Sequence, residues 1–244
     1  MPGIIGRLYY YYFYTAVALL FLLLYPWCRL CMQIKSLHFM VFGTRRAWAR
    51  GILFLTGMRI RKTGKSSLEK NGAAIYCSNH TSYLDIIVLL AALPGKIIFM
   101  GKAELLKVPM LGAFFRYIDI PVDRSDRRKS ANAFRSAKQL LETGHSIVIF
   151  PEGGIMGDAP RLHPFKEGAF SMAVYTQKPV VPLTLPDSWK ALPEGKKIAV
   201  PRKIRIILHE ALMPEITGKS AGPKLAGEVY RRLEADISKY AYEN

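Results

Sequence analysis

An apolar run near the N-terminus constrains this chain most, because nearly all twenty residues from Leu8 to Trp27 are apolar or aromatic. A helix of that length, rising 1.5 Å per residue, is about 30 Å long, which matches the hydrocarbon core of a bilayer. Tyrosines cluster at its start like an interfacial aromatic belt, and Pro26 and Arg29 close its other end. A signal peptide is disfavoured, since only Arg7 precedes the run and no small-x-small cleavage site follows it.

The next stretch, Phe39 to Met58, mixes large apolar residues with Arg45, Arg46 and Arg50. This composition is typical of an amphipathic helix at the headgroup level, with arginines extended toward anionic lipid. Residues 1–68 contain ten Lys or Arg and no Asp or Glu, and so supply +10 of the formal net charge of +17. The asymmetry predicts a basic N-terminal segment whose partner is the phospholipid bilayer.

Two membrane arrangements fit this segment. The first is a spanning helix followed by an interfacial one, and the second is a helical hairpin that enters one leaflet. If the first helix spans, the positive-inside bias places the rest of the chain on the cytoplasmic side of the inner membrane. The three cysteines are too few for a disulfide scaffold, which agrees with a reducing, cytoplasmic setting.

From residue 73 onward, strand-like and helix-like patterns alternate, which predicts an α/β fold with a largely parallel central sheet flanked by helices. Strands are expected near 73–78, 96–100, 118–122, 146–150, 180–185 and 203–209. Helices are expected near 83–92, 103–116, 130–143, 167–176 and 222–240. We therefore divide the chain into an N-terminal membrane-associated segment of two helices, 1–62, and an α/β domain, 63–244. The residues from Arg59 to Lys70 are interpreted as a basic connector.

His80 and Asp85 lie where an apolar, strand-like run gives way to a helical pattern. On one continuous helix, residues five apart would be separated by about 140° at 3.6 residues per turn, so the two side chains meet only if His80 precedes the helix. Ser82 is a favourable N-cap, and with Asp85 at N3 it fits a capping box that turns the carboxylate back toward His80. Two interpretations are equal at this point: a base held by a carboxylate, or a capping acid beside an ordinary turn histidine.

A glycine-containing turn at 150–154 (FPEGG) follows the predicted strand that ends there. Ligands of open parallel sheets gather at the carboxyl ends of the strands, where the His80 turn is also expected. Gly153 and Gly154 allow backbone N–H groups to approach an anion closely, and the Glu152 carboxylate can bind a hydroxyl group or a basic neighbour. The same residues also suit an ordinary surface turn.

Two basic residues follow other predicted strands. Arg124, after the strand at 118–122, suits a bidentate contact with a phosphate. Lys102, after the strand at 96–100, is a second candidate, although an ordinary exposed lysine is the simpler interpretation. No His, Cys, Asp or Glu cluster has metal-ligand spacing, so no metal is expected. No nucleic-acid-binding motif accompanies the basic charge, and no Gly-x-Ser-x-Gly elbow indicates a serine hydrolase.

Four short blocks, taken together, resemble the ordered motifs of the glycerolipid acyltransferase family. They are 79–85 (NHTSYLD), 122–124 (VDR), 150–153 (FPEG) and 181–183 (VPL). Within that family the chain is most similar to bacterial 1-acylglycerol-3-phosphate acyltransferases, over roughly residues 70 to 210. The resemblance implies transfer of an acyl group from a thioester of acyl-carrier protein or coenzyme A to the free hydroxyl of lysophosphatidate, without a cofactor.

In the implied mechanism, His80 removes the proton of the acceptor hydroxyl and Asp85 orients the imidazole and stabilises its cation, as the acid of a hydrolase triad does. Backbone N–H groups after Thr81 are candidates to stabilise the oxyanion. Histidine is suited to the base role because imidazole titrates near neutral pH.

One departure from the family pattern concerns the acceptor. The third block usually continues with Thr and Arg, whereas Gly154 and Ile155 stand here. Arg161 or Lys166 is a candidate to replace that phosphate contact; the alternative is another lysolipid acceptor. A non-catalytic protein that binds anionic membranes is a third possibility. The acyl donor, its chain length and the oligomeric state stay open.

Overall fold

The computed structural model describes residues 3–64, 72–108, 111–123, 125–215 and 220–240. Its main elements, in chain order, are α1 (Ile4–Gln33), α2 (His38–Leu55), β1 (Arg59–Thr63), β2 (Ile75–Ser78), α3 (Leu84–Ala92), β3 (Lys96–Lys102), α4 (Leu111–Tyr117), β4 (Ile120–Val122), α5 (Arg127–Glu142), β5 (His145–Ile149), α6 (Gly168–Thr176), β6 (Val180–Thr184), α7 (Ser188–Ala191), β7 (Lys203–Leu208) and α8 (Ala221–Tyr240). Short 3₁₀ turns cover Lys35–Leu37 and Ala103–Lys107.

The seven strands form one sheet in the order β1-β7-β6-β2-β5-β3-β4. Every neighbouring pair is parallel except β6 and β7, which run antiparallel. The predicted α/β fold with a largely parallel central sheet is therefore confirmed. The carboxyl ends of β2, β3, β4, β5 and β6 consequently lie at one edge, and the turns that follow these strands are brought together there.

Two apolar clusters cover the two faces of the sheet, because alternate side chains of a strand point to opposite sides. In β2, Ile75 and Cys77 join the cluster formed with α5, α6 and α8, whereas Tyr76 joins the cluster formed with α2 and α3. Helix α8 packs through residues spaced four apart, the pattern of one helix face: Ala221, Leu225, Val229, Leu233 and Ile237. Strands covered on both faces read as continuous apolar runs, which is why the sequence reveals them.

All six expected strands are present, but two expectations about neighbouring segments are wrong. The first part of the expected connector, Arg59–Thr63, is strand β1, which pairs with β7 at the sheet edge. Its side chains are mostly exposed and charged, so it has no apolar strand pattern. The boundary predicted at 62/63 falls inside this strand. The single helix expected at 103–116 is instead a 3₁₀ turn followed by α4, with Val108 extended, as is usual for a residue before proline.

Helix α1 extends the predicted 8–27 run at both ends and has two apolar faces. One face packs against the rest of the protein and includes Phe13, Ala16, Phe21, Cys28, Cys31 and Met32. The other exposes a row of large apolar side chains that includes Ile4, Leu8, Tyr11, Leu19, Leu22, Leu23, Trp27 and Leu30. By length and composition, α1 is able to cross a bilayer, a property that it shares with core helices and signal sequences. A large exposed apolar face marks an interaction site.

The arginines of α2 contact protein, which corrects the expectation that they extend toward lipid. Arg45 is buried and its Nη2 lies 2.9 Å from Asp119 Oδ2. Arg46 donates to the Leu93 carbonyl at 3.0 Å, and Arg50 donates to the Ala91 carbonyl at 3.1 Å. The last carbonyls of a helix lack intrahelical partners, and those at the end of α3 attract these guanidinium groups. The amphipathic pattern of α2 is thus explained by packing on α3.

Candidate active site

The turn between β2 and α3 holds His80 beside Asp85. The distance from His80 Nδ1 to Asp85 Oδ2 is 3.0 Å, and Asp85 is fully buried. The same carboxylate oxygen accepts the backbone N–H groups of Thr81 at 2.8 Å and Ser82 at 3.0 Å. Three donors converging on one oxygen stabilise the charged carboxylate and fix its position. Asp85 is therefore both the capping acid and the partner of His80, and the role of His80 as a base stays a prediction.

The start of α3 differs by one residue from the predicted capping box. The first helical residue is Leu84, and Ser82 Oγ accepts its N–H at 3.1 Å. The Ser82 hydroxyl also donates to the Leu192 carbonyl at 2.7 Å, which ties the turn to the segment after α7. The N–H groups of Thr81 and Ser82 are occupied by Asp85, so among the expected oxyanion donors these two are already bonded.

Asn79 anchors the turn to the end of β6, a role that the sequence did not reveal. Its Nδ2 donates to the Leu185 carbonyl at 3.0 Å, and its Oδ1 accepts the Leu185 N–H at 2.8 Å. Asn79 is buried, so these two bonds satisfy its amide without water. The pair lies 106 residues apart in sequence. The position before His80 therefore holds the His80 turn against the sheet.

Glu152 forms a bridge between two loops. Its Oε1 accepts the His80 N–H at 2.9 Å, and its Oε2 accepts the His163 N–H at 2.9 Å. The residue is only 2 % exposed, and this burial raises the pKa of its carboxyl group. Both oxygens are thus used to hold backbone, which differs from the expected contact with a substrate hydroxyl or a basic neighbour.

The imidazole of His80 lies on an aromatic platform. Its ring stacks on Phe150, with centroids 3.9 Å apart and an angle of 15° between the planes. Since Nδ1 faces Asp85 and one ring face is covered, the orientation of Nε2 is restricted. The turn beyond Phe150 is closed by the Gly153 N–H, which donates to the Phe150 carbonyl at 3.0 Å. Gly153 has a φ of 91°, which explains the need for glycine there.

The structure describes some, but not all, of the other residues that the sequence predicted to contact a phosphate. Lys102 is exposed at the end of β3. An ideal Cβ built on Gly154 would lie 3.9 Å from Lys102 Nζ, so these two predicted residues are neighbours. Arg124 lies outside the described residues. Within those residues, no three His, Cys, Asp or Glu side chains are grouped as a set of metal ligands.

Two further histidines have carboxylate partners that the sequence did not indicate. His163 Nε2 lies 2.6 Å from Asp158 Oδ1, and this contact lowers the pKa of the Asp158 carboxyl group. His209 Nε2 lies 2.8 Å from Asp236 Oδ2 on α8. Since Asp158 precedes its histidine in a loop and Asp236 comes from a distant helix, neither pair has a recognisable local spacing.

A family model described as acyltransferase matches residues 59–185, from the beginning of β1 to just past β6. The matched region contains the His80 turn and the Glu152 bridge. The chain belongs to the acyltransferase family. The chain is 30% identical over 190 residues to the 1-acyl-sn-glycerol-3-phosphate acyltransferase of Helicobacter pylori. This match covers 78% of this chain and 77% of that protein.

Plant members of the acyltransferase family are also similar. The chloroplastic 1-acyl-sn-glycerol-3-phosphate acyltransferase BAT2 of Brassica napus is 36% identical over 140 residues, covering 57% of this chain. The match spans 40% of that plant protein's own length. Among solved structures, the 1-acyl-sn-glycerophosphate acyltransferase PlsC from Thermotoga maritima superposes with a TM-score of 0.81 at 22% identity, covering 100% of this chain and 99% of that one. This superposition shows a shared fold.

Proposed function

We propose that this acyltransferase transfers an acyl group from a thioester to the free hydroxyl of 1-acylglycerol 3-phosphate and so makes phosphatidate. The observation that carries the proposal is the 3.0 Å contact between His80 Nδ1 and Asp85 Oδ2 at the carboxyl edge of the sheet. The names of the similar proteins supply the acceptor, lysophosphatidate.

The proposed reaction needs one imidazole and no covalent enzyme intermediate. His80 Nε2 takes the proton of the acceptor hydroxyl as its oxygen attacks the thioester carbonyl carbon. The negative charge of Asp85 stabilises the imidazolium that forms. When the tetrahedral intermediate collapses, the C–S bond breaks and the imidazolium returns the proton to the leaving thiolate. This step requires no metal or cofactor, because imidazole carries out the whole proton transfer.

We place α1 and α2 in one leaflet of the membrane. The Gly6 carbonyl near the start of α1 accepts the Ala199 N–H at 3.1 Å, and Arg29 near its end lies over the Tyr117 ring at 5.3 Å. Because both ends of α1 contact the same α/β domain, a helix that crossed the bilayer would carry polar parts of that domain into hydrocarbon. A helix lying in the interface, with its exposed apolar face toward lipid, avoids this cost.

The cytoplasmic face of the inner membrane is the proposed location. The three free cysteines are buried, as suits a reducing compartment, and the net charge of +17 favours an anionic leaflet. Both acyl-carrier protein and coenzyme A thioesters are present in the cytoplasm and carry phosphate groups that a basic surface attracts.

A different lysolipid acceptor is the second candidate, and Gly154 and Ile155 favour it, because they stand where the family pattern has Thr and Arg. Purified protein in detergent should be given acyl-carrier protein or coenzyme A thioesters with a panel of lysolipids that differ only in headgroup. Phosphatidate as the main product is the expected result. Preference for an acceptor without a phosphate monoester would overturn the acceptor, and no product with any pair would overturn the enzymatic function.

A further inference from the structure

A second histidine lies at the catalytic edge. The Glu152 carboxylate bonds the backbone N–H groups of His80 and His163, each at 2.9 Å, through its two oxygens. Since a carboxylate is small and rigid, the two backbone segments are held as close neighbours. His163 belongs to the loop that continues the Pro-Glu-Gly-Gly turn, in which the arginine typical of the family is replaced. The loop that lost one cation therefore contains a histidine fixed to the catalytic turn.

The imidazole of His163 is held by a carboxylate. Its Nε2 lies 2.6 Å from Asp158 Oδ1, so a carboxylate fixes the orientation of the ring. In an imidazolium both nitrogens are donors, and with Nε2 bonded to Asp158, Nδ1 is the donor left for a ligand. The His163 side chain is 23% exposed. It is therefore both held by protein and accessible.

The neighbouring surface suits an anion. Among the described residues, Lys102 Nζ is the one heavy atom within 4 Å of an ideal Cβ on Gly154, apart from that glycine and its chain neighbours. As far as those residues show, the space above the glycine is open and bordered by an ammonium group. Among the described residues, the charged or titratable side chains on or beside this loop include Lys102, Glu152, Asp158, Arg161 and Tyr230.

We propose that His163, held by Asp158, binds the phosphate of the acceptor together with Lys102, and so replaces the arginine that the third motif lacks. This inference rests on the proposed function. The contact is a charge-assisted hydrogen bond from an imidazolium to a phosphate oxygen, supported by the ammonium of Lys102. His163 is a specificity-determining residue, since it acts on the headgroup and not on the reacting hydroxyl.

The test compares His163→Gln and His163→Lys with wild type. His163→Gln removes the positive charge and keeps the backbone N–H that bonds Glu152, so the fold is expected to persist. The KM and the dissociation constant for lysophosphatidate should rise roughly tenfold or more, the usual effect of losing a charge-assisted hydrogen bond. The KM for the acyl thioester and kcat should change little. His163→Lys should restore most of the acceptor affinity because it restores the cation.

Two controls isolate the contact. His145→Gln changes a histidine at the opposite end of β5 and should leave the acceptor KM unchanged. Binding of wild type and His163→Gln to vesicles that contain anionic lipid should be equal, because the contact is made with the acceptor and not with the bilayer. A smaller rise in acceptor KM is expected for Asp158→Asn, which keeps the imidazole but removes the stabilising charge.

An unchanged acceptor affinity in folded His163→Gln would overturn the inference. It would also fail if His163→Lys were as weak as His163→Gln, since shape and not charge would then matter. If wild type bound lysophosphatidate without forming phosphatidate, the proposed function would fail, while the same binding comparison would still decide the role of His163.

Discussion

Two His–Asp contacts have nearly equal nitrogen–oxygen distances but lie at different places in the sheet. His80 Nδ1 is 3.0 Å from Asp85 Oδ2 in the turn after β2. His209 Nε2 is 2.8 Å from Asp236 Oδ2, and the His209 N–H bonds the Pro182 carbonyl in β6 at 3.1 Å. His80 thus lies at the carboxyl edge of the parallel strands. His209 instead follows β7, the strand that runs antiparallel to β6, and its imidazole lies beside Thr184 of β6 and Asp236 of α8.

The surroundings of the two carboxylates differ as well. Asp85 is fully buried, and two backbone N–H groups share its Oδ2 with His80. The Asp236 side chain is 15% exposed, and it accepts the Thr184 hydroxyl at 2.7 Å. An imidazole beside a carboxylate is therefore not sufficient for a site. Position in the turn after a central parallel strand, and rigid support of a fully buried acid, distinguish the His80 pair.

Removing each imidazole in turn gives the largest expected difference in kcat between the two His–Asp pairs. His80→Ala should lower kcat by about 10²–10⁴-fold, the usual contribution of a general base. His209→Ala should leave kcat within about twofold of wild type, because no reacting group is placed beside it. Steady-state rates of phosphatidate formation measure both, with circular dichroism to show that each variant is folded. Equal losses in the two variants would contradict the distinction drawn here.

Neutralising each carboxylate gives the next largest effect. Asp85→Asn should lower kcat by about 10²-fold or more, since an amide cannot stabilise the imidazolium and brings an N–H₂ group toward backbone donors. Asp236→Asn should keep nearly full activity and lose some stability. Rates and thermal melts of the two variants provide the measurement. An active Asp85→Asn enzyme would mean that His80 works without its acid.

Glu152 provides a further test of the His80 pair, because its carboxylate ties the His80 turn to the loop that contains His163. Glu152→Gln leaves one of two backbone N–H groups facing an amide N–H₂ group, and should destabilise the fold by about 1–3 kcal/mol. Activity should fall about tenfold as His80 loses its fixed position. Denaturant unfolding and kinetics would test this, with Glu142→Gln, at an exposed position at the end of α5, as a matched control that should change neither. A fully stable and active Glu152→Gln would remove the bridge from the mechanism.

The pH dependence of the same variant has a defined sign. Burial raises the pKa of Glu152 in the folded protein above its ordinary value of 4.5. Between the ordinary pKa and the raised pKa, the native state binds more protons than the unfolded state. The stability of the native state therefore falls as pH rises through that range. The stability of wild type relative to Glu152→Gln should therefore decline as pH rises from about 4.5 and level off above the raised pKa. A relative stability that rises over this range would contradict the burial effect.

The smallest expected effect concerns Thr184, whose hydroxyl bonds Asp236 of the His209–Asp236 pair. Thr184→Val removes the hydroxyl that bonds Asp236 and keeps the side-chain shape. It should cost about 1 kcal/mol of unfolding free energy, the typical net value of one hydrogen bond. Activity should stay at the wild-type level. Thermal melts and rates measured together would show this, whereas a clear loss of activity would place the His209 region in the mechanism.

The sequence predicted the sheet and the His80 turn well, and the reason is local. The strands are covered on both faces and so read as apolar runs, and Asp85 reaches His80, Thr81 and Ser82 within a single turn. The edge strand β1 escaped prediction because its apolar content is low. The arginines of α2 were assigned to lipid, although Arg45 pairs with Asp119, 74 residues away.

By itself, the sequence determined the alternation of strands and helices, the place of the His80 turn and the apolar surface of α1. These follow from periodicity and from groups only a few residues apart. Only the tertiary structure decided that Glu152 joins His80 to His163, that Asn79 is bonded to Leu185, and that His209 meets Asp236. Such contacts depend on strand order and register, which bring together groups that no sequence spacing relates.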